Sequence, residues 1–533
     1  MNAERLLALY ERVAEAPDAI TRLRRFILDL AVRGKLVLQD PNDEPASELL
    51  KRIGKEQINQ AALPRGWRRT KVGSILDFQY GKGLKSAERL DEGPVPVFGS
   101  NGIVGFTDEP LTAGPSIIVG RKGSAGALNL CDGPSWTTDV AYFVEAPSFL
   151  HIRFLLNALA ALDLDKLGKG VKPGLSRTEA YEQIIAIPPL AEQHRIVAKV
   201  DELMALCDRL EAARKDRETK RDRLSAASLT RLNTPDPETF ETDARFTLEA
   251  LPALTTRPNQ IKQLRQTILN LAVRGKLVPQ DPNDEPITVK LQRALARRTA
   301  LVRAKKVRSK KLDSFDNLQA TADLPSSWAQ ERLGNLVDPE NTISYGVLVP
   351  GENVSDGIPF VRAQDLALSG HPHRPTKTIA PEIERAYART RLRGGELLVC
   401  VVGSIGKLGV VPHSWAGANI ARAVARILPI QEISREYLLV VLQGQPVQSY
   451  FTETTRTLAQ PTLNVGLIEQ TPIPLPPLAE QHRIVAKVDE LMALCDRLEA
   501  SLTTSDQTRT RLLEALLAKA LVPAEDHAME AAE

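Results

Sequence analysis

The chain has 533 residues, of which 43% are hydrophobic and 25% charged, and its 69 basic and 66 acidic residues give a formal net charge of +3. This composition indicates a folded globular protein of about three or four domains and excludes an intrinsically disordered chain. The near-neutral charge means that any nucleic-acid binding depends on local clusters of basic side chains or on a partner that adds positive charge. No apolar run reaches membrane-spanning length, and the N-terminal segment is unlike a signal peptide, so a cytoplasmic location is expected.

Three segments of the chain occur twice. The first reads LAVRGKLVLQDPNDEP at 30–45 and recurs at 271–286 with one difference, Leu38 against Pro279. The second is LPRGW at 63–67 and LPSSW at 324–328. The third, PPLAEQHRIVAKVDELMALCDRLEA, is identical at 188–212 and 476–500. The segments before the third repeat, 63–187 and 324–475, share almost no sequence, so two matching frames surround two divergent inserts.

The order of the repeats predicts a circular arrangement. The N-terminal frame, 1–62, lacks the long segment with which the central frame, 188–323, begins. The C-terminal frame, 476–533, supplies that segment. The two chain ends together therefore match the centre, which predicts a pseudo-twofold molecule whose ends lie close to each other.

The third repeat predicts a long helix in each half, the first from about 188 to 232. Apolar residues recur in each copy at alternating steps of four and three, which is the pattern of a heptad seam. The seam residues are Ile196, Val200, Leu203, Cys207 and Leu210, and their repeats Ile484, Val488, Leu491, Cys495 and Leu498. A helix of about 40 residues spans about 60 Å. The duplicate helix is the expected partner, in an antiparallel coiled coil, and the two cysteines are expected to be small buried hydrophobes.

Both inserts show the pattern of strand-rich domains. Short β-branched runs alternate with glycines at 95–105 and 116–130, and again at 358–363 and 397–410. This pattern predicts strands joined by tight turns. Helices are expected at 149–162 and 434–450. The predicted fold class is therefore α+β, with two α/β insert domains joined by long antiparallel coiled-coil helices.

The sequence contains no catalytic signature. The segment Gly403–Lys407 is the nearest match to a phosphate-binding loop, but it lacks the first glycine at the required spacing. No metal-protease motif or dinucleotide-binding fingerprint occurs either, so no cofactor or metal site is expected in this chain.

Clusters of basic residues beside glycine turns are the remaining indication of a function. Any single basic residue among them is most simply a solvated surface charge. Each insert is nearly neutral, with 14 basic and 13 acidic residues in 63–187 and 13 of each in 324–475. Lys407 lies in the loop that matches the loop of Lys122. The candidate DNA-binding residues are Arg68, Arg69, Lys71, Lys82, Lys85, Arg121, Lys122, Lys169, Lys172 and Arg177 in the first insert, and Arg362, Gln364, Arg389, Arg391, Arg393 and Lys407 in the second.

A further run, 293–311, holds nine basic residues in nineteen. It is either a helical arm that follows phosphates or a solvated linker, and the sequence does not favour one interpretation over the other.

The repeats and their arrangement around two unlike inserts resemble the specificity subunit of type I restriction–modification systems. This resemblance covers essentially the whole chain. It implies that 63–187 and 324–475 are target-recognition domains, each reading one half of a bipartite, asymmetric DNA site. It also implies that the repeated helices set the spacer and dock two methyltransferase subunits.

The resemblance places catalysis on partner subunits. It implies methyltransferase subunits with S-adenosylmethionine and restriction subunits with ATP-driven translocation and cleavage, where Mg is also expected. Two other interpretations remain open, a fused restriction–methylation enzyme and a coiled-coil scaffold that does not bind DNA. The missing catalytic motifs argue against the first, and the divergence of the two inserts argues against the second.

Overall fold

The computed structural model describes residues 15–52, 63–167, 174–234, 236, 238–307, 324–455 and 461–521. The chain divides into two compact units. Unit 1 is Met1–Glu218 with Thr504–Glu533, and unit 2 is Thr219–Thr503. Unit 1 therefore contains both chain ends, as the circular arrangement predicts. Within it Arg22 pairs with Glu514 at 2.8 Å, and Leu513 packs with Ala16 and Ala19.

The first half of the chain alternates short strands with helices and ends in one long helix. Its helices are α1 (Ala19–Val32), α2 (Ala46–Arg52), α3 (Val72–Ile75), α4 (Ile152–Ala160), α5 (Arg177–Tyr181) and α6 (Leu190–Asn233). Its strands are β1 (Arg68–Lys71), β2 (Gln79–Tyr80), β3 (Val95–Phe98), β4 (Ile103–Thr107), β5 (Ser116–Gly120), β6 (Leu128–Cys131), β7 (Trp136–Thr137), β8 (Ala141–Val144) and β9 (Ile184–Ile187).

The second half repeats this order after three further helices, α7 (Phe240–Leu254), α8 (Pro258–Val273) and α9 (Ile287–Arg303). Its later helices are α10 (Pro381–Arg385), α11 (Arg435–Gln443), α12 (Gln445–Thr455), α13 (Val465–Glu469) and α14 (Leu478–Leu521). Its strands are β10 (Ala329–Arg332), β11 (Ser344–Tyr345), β12 (Ile358–Val361), β13 (Lys377–Ile379), β14 (Leu397–Cys400), β15 (Leu408–Val410), β16 (Asn419–Ile420), β17 (Val424–Ile427) and β18 (Pro472–Leu475).

The two inserts have the same sheet topology despite their dissimilar sequences. In the first, the strand orders are β2-β8-β5-β6, β4-β3-β7 and β1-β9. In the second, they are β11-β17-β14-β15, β13-β12-β16 and β10-β18. The corresponding pairs β3–β7 and β12–β16 are parallel, and the other pairs are antiparallel. The predicted α+β fold class is therefore confirmed.

The helices predicted within the inserts are present, with one difference. Helix α4 lies inside the predicted range 149–162. The predicted helix 434–450 is instead two helices, α11 and α12, which meet at Gly444. Pro446 stands in the first turn of α12, where a proline is tolerated, but it disfavours a continuous helix through the residues before it.

The long helices are present, but the seam of each lies against a different partner from the one expected. Both α6 and α14 have 44 residues. In unit 1, Ile196, Val200 and Cys207 are buried in one cluster with Ile20 and Ile27 of α1, and Leu203 and Leu210 pack against it. In unit 2, Ile484, Val488 and Cys495 are buried with Ile261 and Ile268 of α8, with Leu491 and Leu498 beside them. The heptad pattern correctly marks the buried stripe, and within each unit the LAVRGKLV helix packs against it. Burial raises the pKa of both cysteines, which are packed as small hydrophobes as predicted.

A buried polar contact joins the three repeated segments in each unit. In unit 1, the Trp67 indole N–H donates to Glu192 Oε2 at 3.0 Å, and Gln39 Nε2 donates to Glu192 Oε1 at 3.2 Å. In unit 2, Trp328 and Gln280 both donate to Glu480 Oε1, at 3.1 and 3.2 Å. We call these two contacts the frame locks. Burial raises the pKa of both carboxyl groups.

The glycine of the first repeat is required beside the frame lock. Gly34 has φ +68, and a Cβ there would lie 2.5 Å from Pro64 Cγ and 2.9 Å from the Trp67 ring. Gly275 has the same φ and the same close approach to Pro325. A larger residue would therefore push the LPxxW turn away from the frame, which explains why the two segments repeat together.

Of the helices that the structure describes, none combines the length and the apolar character needed to cross a membrane.

Candidate nucleic-acid interface

Both inserts carry the same glycine hairpin, formed by β5 and β6 in the first and by β14 and β15 in the second. Gly123 and Gly126 have φ +83 and +79, and Gly403 and Gly406 have φ +81 and +80. The Gly126 N–H donates to Gly120 O at 2.9 Å, and the Gly406 N–H donates to Cys400 O at 3.0 Å. These matching hydrogen bonds fix the alignment of the two turns, with Gly123 equivalent to Gly403.

This alignment confirms one sequence interpretation and adds detail to it. The loops of Lys122 and Lys407 do correspond, but the two lysines are not equivalent. The Ala127 N–H donates to Ser124 O at 3.2 Å, and the Lys407 N–H donates to Ser404 O at 3.1 Å, so Lys407 matches Ala127. Lys122 matches Val402, as their isolated bridges to Gly174 and Thr462 also indicate. The basic residues stand before the turn in the first insert and after it in the second.

The structure joins three parts of the first insert around Tyr80. The guanidinium carbon of Arg121 lies 5.2 Å from the Tyr80 ring centroid, and that of Arg177 lies 5.1 Å from it. Lys82 and Lys122 flank this group, since the backbone N–H groups of both donate to the segment 137–140. Four predicted residues thus lie with Tyr80 on one surface. They are Lys82, Arg121, Lys122 and Arg177.

The other candidates in the first insert lie apart from this group. Arg68, Arg69 and Lys71 belong to β1, which pairs only with β9. Arg68 donates to the backbone oxygen of Trp67, and Lys71 pairs with Glu182 at 2.5 Å. Lys85 is exposed at the start of a short turn. Lys169 and Lys172 lie outside the described residues.

In the second insert, the structure brings Lys407 to two candidates that precede it by more than 40 residues, Arg362 and Gln364. Lys407 Nζ donates to the backbone oxygens of Ala363 and Gln364, at 3.2 and 3.3 Å. Arg362 is held in the same turn by Asp365, with Nε 3.1 Å from Oδ2. The Gln364 side chain is exposed. This group presents an amide and two cations from two adjacent turns, which suits hydrogen bonding to base edges.

The three arginines 389, 391 and 393 have different environments. Arg391 makes two hydrogen bonds to the buried carboxylate of Glu384, at 2.8 and 2.6 Å, and this contact lowers the pKa of Glu384. The guanidinium group of Arg391 therefore stabilises the fold through this ion pair. Arg389 and Arg393 are exposed, and neither makes an ion pair with another described residue.

The sequence did not single out two further features. Tyr80 carries no local signal beyond its place beside Gly81. Arg426 is 3% exposed and donates to the backbone oxygen of Arg391 at 2.9 Å, and burial lowers its pKa. This buried arginine supports the segment that presents Arg393, which a sequence pattern of exposed charges does not reveal.

The basic run 293–311 is helical in its first part, as α9. Arg298 donates to the backbone oxygen of Gly334 at 3.1 Å, and Arg297 pairs with Glu432 at 3.4 Å. These two arginines therefore pack against the second insert. Residues 308–311 lie outside the described part of the chain.

Comparisons with known proteins give one consistent result. The family described as "Type I restriction modification DNA specificity domain" matches residues 64–218 and 326–505. The chain is 27% identical over 577 residues to the type I restriction enzyme EcoEI specificity subunit of Escherichia coli, which spans 94% of each protein. It is 28% identical over 410 residues to the EcoBI specificity subunit of the same organism, which spans 76% of this chain and 72% of that protein. Among solved structures, the HsdS subunit from Thermoanaerobacter tengcongensis matches 87% of this chain and 98% of its own, with 21% identity and a TM-score of 0.42.

Proposed function

The chain belongs to the type I restriction–modification DNA specificity family, and from this premise we propose that its two inserts are target-recognition domains that read the two different halves of one bipartite DNA site. The first domain is 63–187 and the second is 324–475. The frames 1–62, 188–323 and 476–533 hold these domains and carry the contacts to partner subunits. The protein acts as a non-catalytic subunit in the cytoplasm.

The contrast between the two domains carries this proposal. Their sheets have the same topology, yet the residues on equivalent turns differ in charge and in shape. Arg121 and Lys122 stand before the glycine hairpin in the first domain, where the second has Val401 and Val402. Base sequence is read by side chains on such turns, whereas the scaffold only positions them. Two scaffolds of one kind with different turn chemistry support recognition of an asymmetric site.

The matching frames support docking of two identical methyltransferase subunits. The same ion pairs hold both frames, since Arg195–Asp43 at 2.6 Å repeats as Arg483–Asp284 at 2.7 Å. Each long helix presents the same exposed residues beside its buried seam, among them His194, Asp201 and Glu202 and their repeats His482, Asp489 and Glu490. Two equivalent surfaces are what a pair of identical partners requires.

The long helices act as the spacer between the two half-sites. Each has 44 residues, so each is about 66 Å long at the rise of an α-helix. The distance between half-sites follows from such a rigid element, as it does in other readers of paired sites.

The partners supply the chemistry of the complex. The methyltransferase subunits bind S-adenosylmethionine and methylate adenine N6, and the restriction subunits use ATP and Mg to translocate and cleave DNA. The near-neutral recognition domains bind duplex DNA with the help of phosphate contacts made by these partners.

Co-expression of this chain with a type I methyltransferase subunit from the same organism, followed by sequencing of the methylated genome, tests the proposal. We expect methylation at one asymmetric sequence with two specified halves and an unspecified spacer. Methylation at a continuous or symmetric sequence would contradict the reading by two different domains. Methylation that does not depend on this chain would refute its role as the specificity subunit.

A further inference from the structure

Tyr80 is an exposed aromatic residue held against two arginines. The Tyr80 residue is 51% exposed. The guanidinium carbon of Arg121 lies 5.2 Å from the Tyr80 ring centroid and 5.9 Å from that of Tyr142. That of Arg177 lies 5.1 Å from Tyr80 and 5.8 Å from Tyr181. Both cations therefore rest on aromatic rings, which fixes their positions.

The surrounding backbone fixes the position of Tyr80. The next residue, Gly81, has no room for a side chain, because a Cβ there would lie 2.1 Å from the backbone oxygen of Thr138. The ring of Tyr80 also contacts that of Tyr142, with centroids 5.1 Å apart. Arg121 Nη2 donates to the backbone oxygen of Asp139 at 2.9 Å. The two arginines are thus ordered without the help of a ligand.

The charge of these two arginines is not neutralised within the described residues. Other arginines of unit 1 contact a carboxylate within 3.0 Å, namely Arg24, Arg153 and Arg195. Arg121 and Arg177 make no such contact with any residue in the described ranges of the chain. Lys82 and Lys122 are exposed beside them. The result is a compact positive surface with donors that remain available.

The second domain shows that the fold does not need these arginines. Tyr345 is equivalent to Tyr80, because each is the second residue of an equivalent strand and each precedes a glycine crowded by backbone oxygen. Val401 is equivalent to Arg121, and Val465 to Arg177 as the first residue of the matching short helix. Val401 is buried in the core there, and Val465 and Tyr345 pack against that core. The same position is therefore apolar in one domain and basic in the other.

We propose that Arg121 and Arg177, positioned by Tyr80, each bind one phosphate of the DNA backbone at the first half-site, and that the second domain lacks these contacts. We call the three residues the arginine clamp. A guanidinium group matches phosphate oxygens with two parallel hydrogen bonds. Because both groups lie against rings, they meet the backbone of a docked duplex rather than extending to base edges. The clamp therefore contributes affinity and salt dependence but no sequence preference. This inference rests on the proposed function of the first domain.

The test compares three double variants of the full chain, each purified with its methyltransferase partner. Arg121→Gln with Arg177→Gln removes both charges. Arg121→Lys with Arg177→Lys keeps the charges but changes the shape. Lys51→Gln with Arg52→Gln is the matched control, because it removes two exposed charges from α2 in the same unit. The Kd for a duplex with the methylated site is measured between 0.05 and 0.2 M salt.

The glutamine variant is expected to lower the slope of log Kd against log salt by about 2, since each phosphate contact contributes about 0.9. The rise of Kd between 0.05 and 0.2 M salt then becomes about tenfold smaller than for the unmodified chain. The lysine variant and the control keep the slope, and the methylated sequence is unchanged in all three.

Three results would overturn the clamp. The first is a slope that the glutamine variant leaves unchanged. The second is an equal loss in the lysine variant, which indicates that the arginines act only through packing. The third is relaxed base preference in one half-site, which indicates base reading. If the unmodified complex shows no sequence-specific binding, the proposed function fails, and the clamp fails with it.

Discussion

The frame locks give a stability prediction that separates two positions with identical local sequence. In unit 1 each carboxylate oxygen of Glu192 accepts one hydrogen bond, from Trp67 and from Gln39. In unit 2 both donors converge on Oε1 of Glu480, while Oε2 is buried without a described partner. A glutamine offers one acceptor oxygen and one NH₂ group. Glu480→Gln therefore keeps both hydrogen bonds, whereas Glu192→Gln turns its NH₂ group toward one of the donors.

The expected magnitudes follow from the cost of a buried polar group without a partner. Glu192→Gln loses one hydrogen bond and leaves one buried donor unsatisfied, which costs about 1–3 kcal/mol. Both glutamine variants remove a buried charge. Glu480→Gln loses no hydrogen bond but puts an NH₂ group without a described partner in place of Oε2, so it should cost about 1 kcal/mol less than Glu192→Gln. Both alanine variants leave the tryptophan N–H unsatisfied, so each should cost about 1–3 kcal/mol.

The pH dependence of these variants has a definite sign. Burial raises the pKa of Glu480 in the folded protein, so the folded state binds the proton more tightly than the unfolded state. The stability from this group is fully present below the unfolded pKa of about 4.3 and is lost as the pH rises through the folded pKa. Glutamine does not titrate. The stability of Glu480→Gln relative to the unmodified chain should therefore rise from acid to neutral pH.

Hydrogen exchange with mass spectrometry, read on peptides that cover 180–200 and 468–488, measures the local opening free energy at each lock. Residues 180–187 and 468–475 differ in sequence, so the two peptides differ in mass. Residues 188–200 and 476–488 are identical, so their intrinsic exchange rates match. Equal destabilisation by the two glutamine variants would refute the argument from hydrogen-bond geometry. A stability difference that does not change with pH would refute the role of the buried charge.

Three further predictions address the frame. Arg195→Ala should destabilise unit 1 by about 1–2 kcal/mol, because it removes the ion-pair partner of Asp43, whose side chain is only 8% exposed. Denaturant unfolding measures this loss, and an unchanged unfolding free energy would contradict a stabilising contact. Lys199→Glu with Lys487→Glu should weaken co-purification of the methyltransferase but change the unfolding free energy by less than about 0.5 kcal/mol, since both lysines belong to exposed pairs. An unchanged stoichiometry of the purified complex would count against docking of the partner at these helices. Deletion of one heptad from both 211–229 and 499–517 shortens each helix by about 10 Å, so methylome sequencing should show the old half-sites with a spacer about 3 base pairs shorter. New half-sites with the old spacer would refute the role of the helices as the spacer.

Much of the frame could be predicted from the sequence, because the repeats carry it directly. The order of the repeated segments indicated that the chain ends complete one frame, and unit 1 contains both ends. The heptad pattern identified the buried stripe of each long helix. It did not identify the partner, because a stripe of Ile196, Val200 and Cys207 is satisfied by any apolar helix of suitable length, and α1 is available within the same unit.

The recognition surfaces were less accessible to sequence reasoning. The glycine spacing showed that the turns of Lys122 and Lys407 correspond, but only the hydrogen bonds establish which residues are equivalent. The group of Tyr80, Arg121 and Arg177 joins three distant segments, and no local pattern links them. The pairing of Arg391 with Glu384 is likewise a contact that a cluster of arginines in the sequence does not reveal.

Exchange of one recognition domain tests the central claim most directly. Residues 63–187 are replaced by the corresponding domain of a relative with a known site, and the complex with the methyltransferase is expressed for methylome sequencing. If each domain reads one half-site, the methylated sequence changes in one half only, and the other half and the spacer stay as they were. A change in both halves would contradict independent reading by two domains on a common frame.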